Sequence, residues 1–199
     1  MKRNGNIFFT SDFHFNHANI IKYAKRPFAS VAEMNREMVR RYNSVVSDMD
    51  TVYILGDIAF GRDLDFAARL RGRKLLLAGN HDTLSDEAYQ RAGFAVLTAD
   101  GIRAKSHRYG EYELVHAPHE VMRTVCPDMR DMPDGYRDVQ AGGFLDSLRQ
   151  KYVCGHVHGI FRKLGSFVNV SVDVWDFLPV SLEALTRAYA EPDTVIGAG

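Results

Sequence analysis

Five short stretches of the chain carry side chains able to bind a cation or move a proton: Asp12-Phe13-His14, Gly56-Asp57, Gly79-Asn80-His81-Asp82, His116 and Gly155-His156-Val157-His158. From them Asp12, His14, Asp57, Asn80, His116, His156 and His158 offer two carboxylates, one amide oxygen and four imidazoles. Such a mixed oxygen and nitrogen set suits the borderline divalent ions Mn, Fe, Zn, Co and Ni. It is too rich in nitrogen for Mg or Ca and lacks the thiolates of a structural zinc site. Seven donors exceed what one tetrahedral ion takes, but they suit two ions sharing a bridging carboxylate. In extended chain, residues two apart face the same side. Asp12 is therefore expected to converge with His14, and His156 with His158, while Asn80 and His81 diverge.

Each stretch follows an apolar run that reads as a buried strand: Ile7-Phe8-Phe9, Val52-Tyr53-Ile54-Leu55, Leu75-Leu76-Leu77, Leu114-Val115 and Tyr152-Val153-Cys154. Strand ends are where open α/β sheets bind ligands. Between the runs lie helical patterns. Ser30-x-x-Glu33 is a capping box, and Val31, Met34, Met38, Tyr42 and Val45 follow at helical spacing. Residues 64–70 and 84–92 read as helices that end toward Gly72 and Gly93 as left-handed caps. Val168, Val170, Val172 and Val174 alternate with other residues, predicting a strand that aims four valines at one core face. Leu182, Leu185 and Tyr189 suggest a last helix, and residues 191–199 are expected to fray. The order βαβαβα, then mostly β, predicts an α/β fold with mixed sheets rather than a purely parallel one.

Composition narrows the setting. At 199 residues with 46% apolar and aromatic content, the chain suits one compact domain over 1–199. Its 25 basic and 25 acidic residues cancel, so there is no global pull toward nucleic acid or anionic lipid. Cys126 and Cys154 form no paired spacing, which argues against a disulfide framework and makes the reducing cytoplasm the expected compartment. The polar start is expected to carry no secretory signal, and the apolar runs are too short to span a bilayer.

The five stretches, in this order and at these strand ends, resemble the blocks of the calcineurin-like metallophosphoesterase family. Residues 11–28 and 169–175 are further similar to small bacterial and phage members. The resemblance implies a sandwich of two mixed sheets flanked by helices. It implies that Asp12, His14 and His158 hold one metal ion, that Asn80, His116 and His156 hold a second, and that Asp57 bridges both. It also makes His81 the substrate-facing acid. The expected reaction is hydrolysis of a phosphomonoester or phosphodiester by a hydroxide bridging the two ions, with His81 protonating the departing alkoxide. Asp82 either orients that imidazole or is a solvated turn residue.

Further positions extend the expected site toward substrate. His17 lies where the first helix begins, His119 follows His116 by three, and Arg123, Arg130 and Arg137 lie in a long connection over 117–143. Such a connection leaving a catalytic edge is often a substrate-binding loop, and one of its arginines is expected to fork onto a phosphate. The rival for these arginines is a set of surface ion pairs with neighbouring aspartates. His107 reads as solvated, and Cys154 and Trp175 as core. Zero net charge favours a small phosphoester over nucleic acid, although Arg36, Arg40 and Arg41 form a local basic patch that keeps a nuclease in view. A non-catalytic metal-binding scaffold of the same fold is the remaining alternative.

Overall fold

Alternation along the first strands sends neighbouring residues to opposite cores, and that alternation builds the layers. The computed structural model describes residues 5–118 and 149–196. Its strands are β1 (Ile7–Thr10), β2 (Thr51–Ile54), β3 (Arg73–Leu76), β4 (Phe94–Val96), β5 (Thr98–Ala99), β6 (Ile102–Arg103), β7 (Ser106–Tyr109) and β8 (Tyr112–Val115). Residues 149–196 add β9 (Lys151–Cys154), β10 (Phe161–Leu164), β11 (Phe167–Asn169), β12 (Val180–Ser181) and β13 (Thr194–Val195). The described helices are α1 (Ile20–Tyr23), α2 (Val31–Val45), α3 (Asp65–Ala68), α4 (Asp86–Arg91) and α5 (Leu182–Ala188).

One sheet has the order β12-β1-β2-β3-β4, with β1 to β4 parallel and β12 antiparallel at the edge. The other has the order β13-β10-β11-β9-β8-β7, in which β8, β9 and β11 are parallel neighbours. Phe9, Tyr53, Leu55, Leu75 and Leu77 of the first sheet pack on Tyr112, Leu114, Val153 and Val168 of the second. Phe8, Val52, Ile54 and Leu76 face the other way, against Met34, Met38 and Tyr42 of α2. The architecture is thus α/β, two mixed sheets packed as a sandwich and flanked by helices.

Helix α2 forms where the capping box opens it: Ser30 Oγ accepts from Glu33 N at 3.2 Å, and the Glu33 carboxylate accepts from Ala29 N at 2.8 Å. Its buried stripe contributes about 1.5–3 kcal/mol for each large apolar side chain removed from water. Val45, expected in that stripe, is 41% exposed. Asn35 is buried instead, and its amide pairs with Asn16 at 2.7 Å, tying the helix to the loop after β1.

Four expectations need correction. The valine alternation ends early: β11 stops at Asn169, and residues Val172–Val174 form a 3-10 turn. Val168 and Val170 join the core between the sheets, Val172 joins the helix-side core, and Val174 is only half-buried. The cause is Asn169, whose amide donates to His158 O and Phe161 O while its oxygen accepts from Ser171 N, ending the ladder. The helices near 64–70 and 84–92 shrink to α3 and α4. Gly93, at φ +85°, follows the Ala92 cap directly, whereas Gly72 lies beyond a separate turn. Residues 194–195 do not fray, because β13 completes the open edge of β10 while Asp193 takes Lys163 Nζ at 2.6 Å. His107 is half-buried, its ring stacked 5.6 Å from Tyr53.

Candidate metal centre

The C-terminal ends of parallel strands in both sheets meet at one edge. Asp12 and His14 follow β1, Asp57 follows β2, Asn80 and His81 follow β3, His116 follows β8, and His156 and His158 follow β9. The ladders continue through main-chain bonds beyond the strands. Asp12 N donates to Gly56 O at 3.0 Å, His14 N to Asp57 O at 2.9 Å, and Gly155 N to His116 O at 2.9 Å. Loops this close leave no room for a side chain at Gly56, Gly79 or Gly155. A Cβ on Gly56, whose φ is +89°, would strike the Gly79 main chain and the His116 ring; one on Gly155 would strike Ser11 and the Asp12 carboxylate.

Extended geometry does not aim the donors. Asp12, His14, Asp57, His156 and His158 all have left-handed backbones, with φ of 60°, 50°, 55°, 69° and 46°. Such conformations cost about 1–3 kcal/mol each, persist only where the surroundings enforce them and cluster at functional sites. The pairings follow from this. Asp12, His14 and His158 bring one donor atom each within 4.8 Å of the others, and Asp57, His116 and His156 do the same. His156 and His158, expected to converge, go to different groups.

The two groups touch through Asp57, whose Oδ2 lies 3.4 Å from His14 Nε2 and 3.5 Å from His116 Nε2. Asn80 belongs with the second group, its Oδ1 3.0 Å from both His116 Nε2 and His156 Nδ1. His116 Nδ1 donates to Leu55 O at 2.6 Å, which leaves Nε2 as the ring atom open to a cation or a second proton. That nitrogen faces His156 Nδ1 at 3.2 Å. His14 is buried, and neither of its ring nitrogens has a hydrogen-bond partner. Buried polar atoms are rarely left unsatisfied, and lone pairs rarely face one another without a proton or cation between them. A divalent cation in each group satisfies both conditions, so the donor set fits two ions.

Charge follows the same pattern. Burial lowers His14 to about 4 against the pull of Asp12 and Asp57, keeping its ring neutral. Burial opposes charge on His116 too, but its bond to Asp57 and the carboxylates of Asp12 and Asp57 outweigh that and raise it to about 9. Burial also opposes ionisation of Asp57, while His116 and His14 hold its carboxyl below the usual range.

The remaining expected residues differ in where they lie. The His81 side chain is exposed, its ring 5.3 Å from that of His14, and its main-chain N donates to Asp57 Oδ1 at 3.0 Å. The Asp82 carboxylate is neither solvated nor bonded to the His81 ring. It accepts from Asp57 N at 2.7 Å, Ile58 N at 3.1 Å, Gly79 N at 2.8 Å and Tyr89 Oη at 3.2 Å, and so fixes the two loops that carry Asp57 and Asn80. His17 stacks on Phe60 at 4.4 Å and lies 5.6 Å from His14, with its Nδ1 buried and unpartnered. His119, Arg123, Arg130 and Arg137 lie outside the described residues. Arg40 and Arg41 of the basic patch both bind Glu37 at 2.7 Å.

Sequence reasoning missed two residues behind the first group. Asp173 accepts from His158 Nδ1 at 2.7 Å, and Arg26 binds Asp173 at 2.8 Å. Nothing in the local pattern of Lys25-Arg26-Pro27 singles out the arginine, and Asp173 sat inside the misread strand. The only signal was their position in the two stretches, 11–28 and 169–175, that enter the resemblance. Trp175, read as core, is half-buried with the Arg162 guanidinium 3.7 Å over its ring.

The fold and its edge define a class: an α/β sandwich whose parallel strand ends carry two groups of side chains that could each hold a cation. Within that class, the chain belongs to the family of the uncharacterized protein MJ1445 of Methanocaldococcus jannaschii, to which it is 30% identical over 193 residues, 91% of this chain and 89% of that one. It is also 36% identical over 83 residues to the Gene 66 protein of Mycobacterium phage L5, 39% of this chain and 40% of that one. Among solved structures, the AQ665 protein of unknown function from Aquifex aeolicus shares the fold, with a TM-score of 0.61, 24% identity, and coverage of 92% of this chain and 99% of that one. No protein-family model matches the chain. No helix among the described residues is long and apolar enough to cross a membrane.

Proposed function

We propose that this protein is a cytoplasmic, metal-dependent phosphoesterase of the calcineurin-like type, hydrolysing a small phosphomonoester or phosphodiester at a centre of two divalent ions. The observation that carries this reading is the Asp57 carboxylate, one oxygen of which faces a histidine of each donor group at 3.4 and 3.5 Å. Asp12, His14 and His158 would hold one ion, Asn80, His116 and His156 the other, and Asp57 both. Two such ions supply Lewis acidity, easing deprotonation of water and neutralising phosphoryl oxygens.

The chain's own groups do the rest. His81 stands exposed beside His14, where its imidazole can give a proton to the departing ester oxygen. Its main chain is pinned to Asp57, so acid and ligand keep a fixed separation. Asp82 acts as a positioning residue, holding the Asp57 and Gly79 main chains together from beneath. His17 borders the same edge, on the His14 side, and is suited to touching the substrate.

The test is reconstitution of metal-stripped protein with Mn, Fe, Zn, Co or Ni, with bound metal counted by elemental analysis and turnover followed on chromogenic mono- and diesters and on an oligonucleotide. Two ions per chain and turnover of a small ester are expected. Cleavage of the oligonucleotide alone would make the protein a nuclease. Two ions without any turnover would make it a binding scaffold, and fewer than two ions at saturation would overturn the centre itself.

A further inference from the structure

The ion pair behind the first donor group sits where a fold rarely puts charge. The Arg26 side chain is fully buried and that of Asp173 is 4% exposed. Burying such a pair usually costs as much as it returns, and apolar replacements of similar volume are often neutral or better. Stability alone is therefore a poor reason for its being there.

Its bonds suggest another. Asp173 Oδ2 lies 2.7 Å from His158 Nδ1 and accepts from Ser171 Oγ at 3.2 Å. The guanidinium forks onto the same carboxylate, Nε to Oδ1 at 2.8 Å and Nη2 to Oδ2 at 3.0 Å. Its remaining donors reach forward, Nη1 to Phe13 O at 2.8 Å and Nη2 to Asp12 O at 2.7 Å. One guanidinium thus grips the left-handed turn that carries Asp12 and His14, and through Asp173 it also sets the ring of His158.

We infer that Arg26 and Asp173 are positioning residues dedicated to the Asp12–His14–His158 group, fixing the His158 tautomer and the Asp12–His14 turn so that three donors converge on one cation. This rests on the two-ion reading above. With its Nδ1–H donating a hydrogen bond to Asp173, His158 keeps the Nε2 lone pair for the ion. A carboxylate behind a ligating histidine has this effect generally, and its loss typically weakens metal binding about 10–100-fold. In the second group, His116 is aimed instead by the main-chain carbonyl of Leu55.

The experiment has two parts. In the metal-free wild-type protein, ¹⁵N NMR of the His158 ring should report the Nδ1–H tautomer, and the Nε2–H form would overturn the inference. Calorimetric titration of metal-stripped Asp173→Ala and Asp173→Asn with Zn should then show one ion bound about 10–100-fold more weakly and the other unchanged within about twofold. Arg26→Lys, which keeps the charge but not the fork, should fall between these variants and wild type. Folded variants that bind both ions as wild type does would overturn the inference, as would equal weakening of both. A wild type that binds no ion refutes the two-ion centre instead, and the tautomer measurement stands independently of that outcome and of whether a variant folds.

Discussion

The two donor groups meet at the Asp57 carboxylate but are braced from behind by different materials. His116 leans on the carbonyl of Leu55, at the end of the second strand, so the main chain itself aims it. His158 leans on Asp173, which leans on Arg26, an arrangement made entirely by side chains far apart in sequence. A main-chain brace cannot be deleted by a point substitution, whereas a side-chain brace can. Ligand sets of similar geometry therefore differ in how readily mutation can loosen them.

The hardest blow to this comparison is one that ignores it. Asp57→Ala removes the shared oxygen, so both groups should suffer together: fewer than two ions per chain by elemental analysis and turnover down about 10⁴-fold or more. Loss of only one ion with half the activity kept would mean that the groups are independent. His81→Ala should do the reverse, leaving both ions in place while turnover of an alkyl phosphoester drops about 10²–10³-fold. An unchanged rate would remove His81 from the chemistry.

Asp82→Ala tests whether the second group also depends on a side chain, one step further back. It strips the acceptor from three main-chain N–H groups and the Tyr89 hydroxyl, and should destabilise the protein by about 2–3 kcal/mol in thermal or urea unfolding. The smallest effect belongs to a carboxylate that braces fold alone. Asp50, buried away from the metal edge, accepts from Asn6 N at 2.6 Å and from Ser47 N and Oγ at 2.7 Å. Burial works against its charge, but those donors prevail and keep its pKa below the usual value. Its contribution is present above the unfolded value of about 3.9 and fades as pH falls through the lower folded value. Asp50→Asn should thus cost about 1–2 kcal/mol at pH 7, and urea curves of variant and wild type should converge at acid pH. A gap that stays constant down to pH 2 would show that the charge is not what stabilises.

The donors were legible in the sequence because each follows directly on an apolar run, and strand ends are a local signal. Their grouping was implied by the family resemblance but not legible in the spacing. Two-residue spacing predicts that His156 meets His158, yet left-handed backbones at both residues send them to different partners. Asp82 could be read only as a neighbour of His81, since its acceptor role depends on a loop 25 residues earlier. Arg26 and Asp173 stand 147 positions apart, beyond any periodicity. The alternating sheets were readable as layers from runs such as Phe8-Phe9, whose members enter different cores. The turn at Asn169 was hidden because the valines keep their rhythm through it, and only the asparagine's bonds to His158 and Phe161 reveal the break.

One consequence concerns mechanics rather than catalysis. Each donor group draws from both layers of the sandwich: Asp12 and His14 from one sheet with His158 from the other, and Asp57 from one with His116 and His156 from the other. A filled centre would act as a pair of rivets across that seam, so that the sheets could not breathe apart without shedding their ions. Ligand excess over its dissociation constant by a hundredfold adds about 2.7 kcal/mol per site to the native state. Chelation should accordingly soften this edge first, which is where hydrogen exchange would quicken before the distant β4 edge responds.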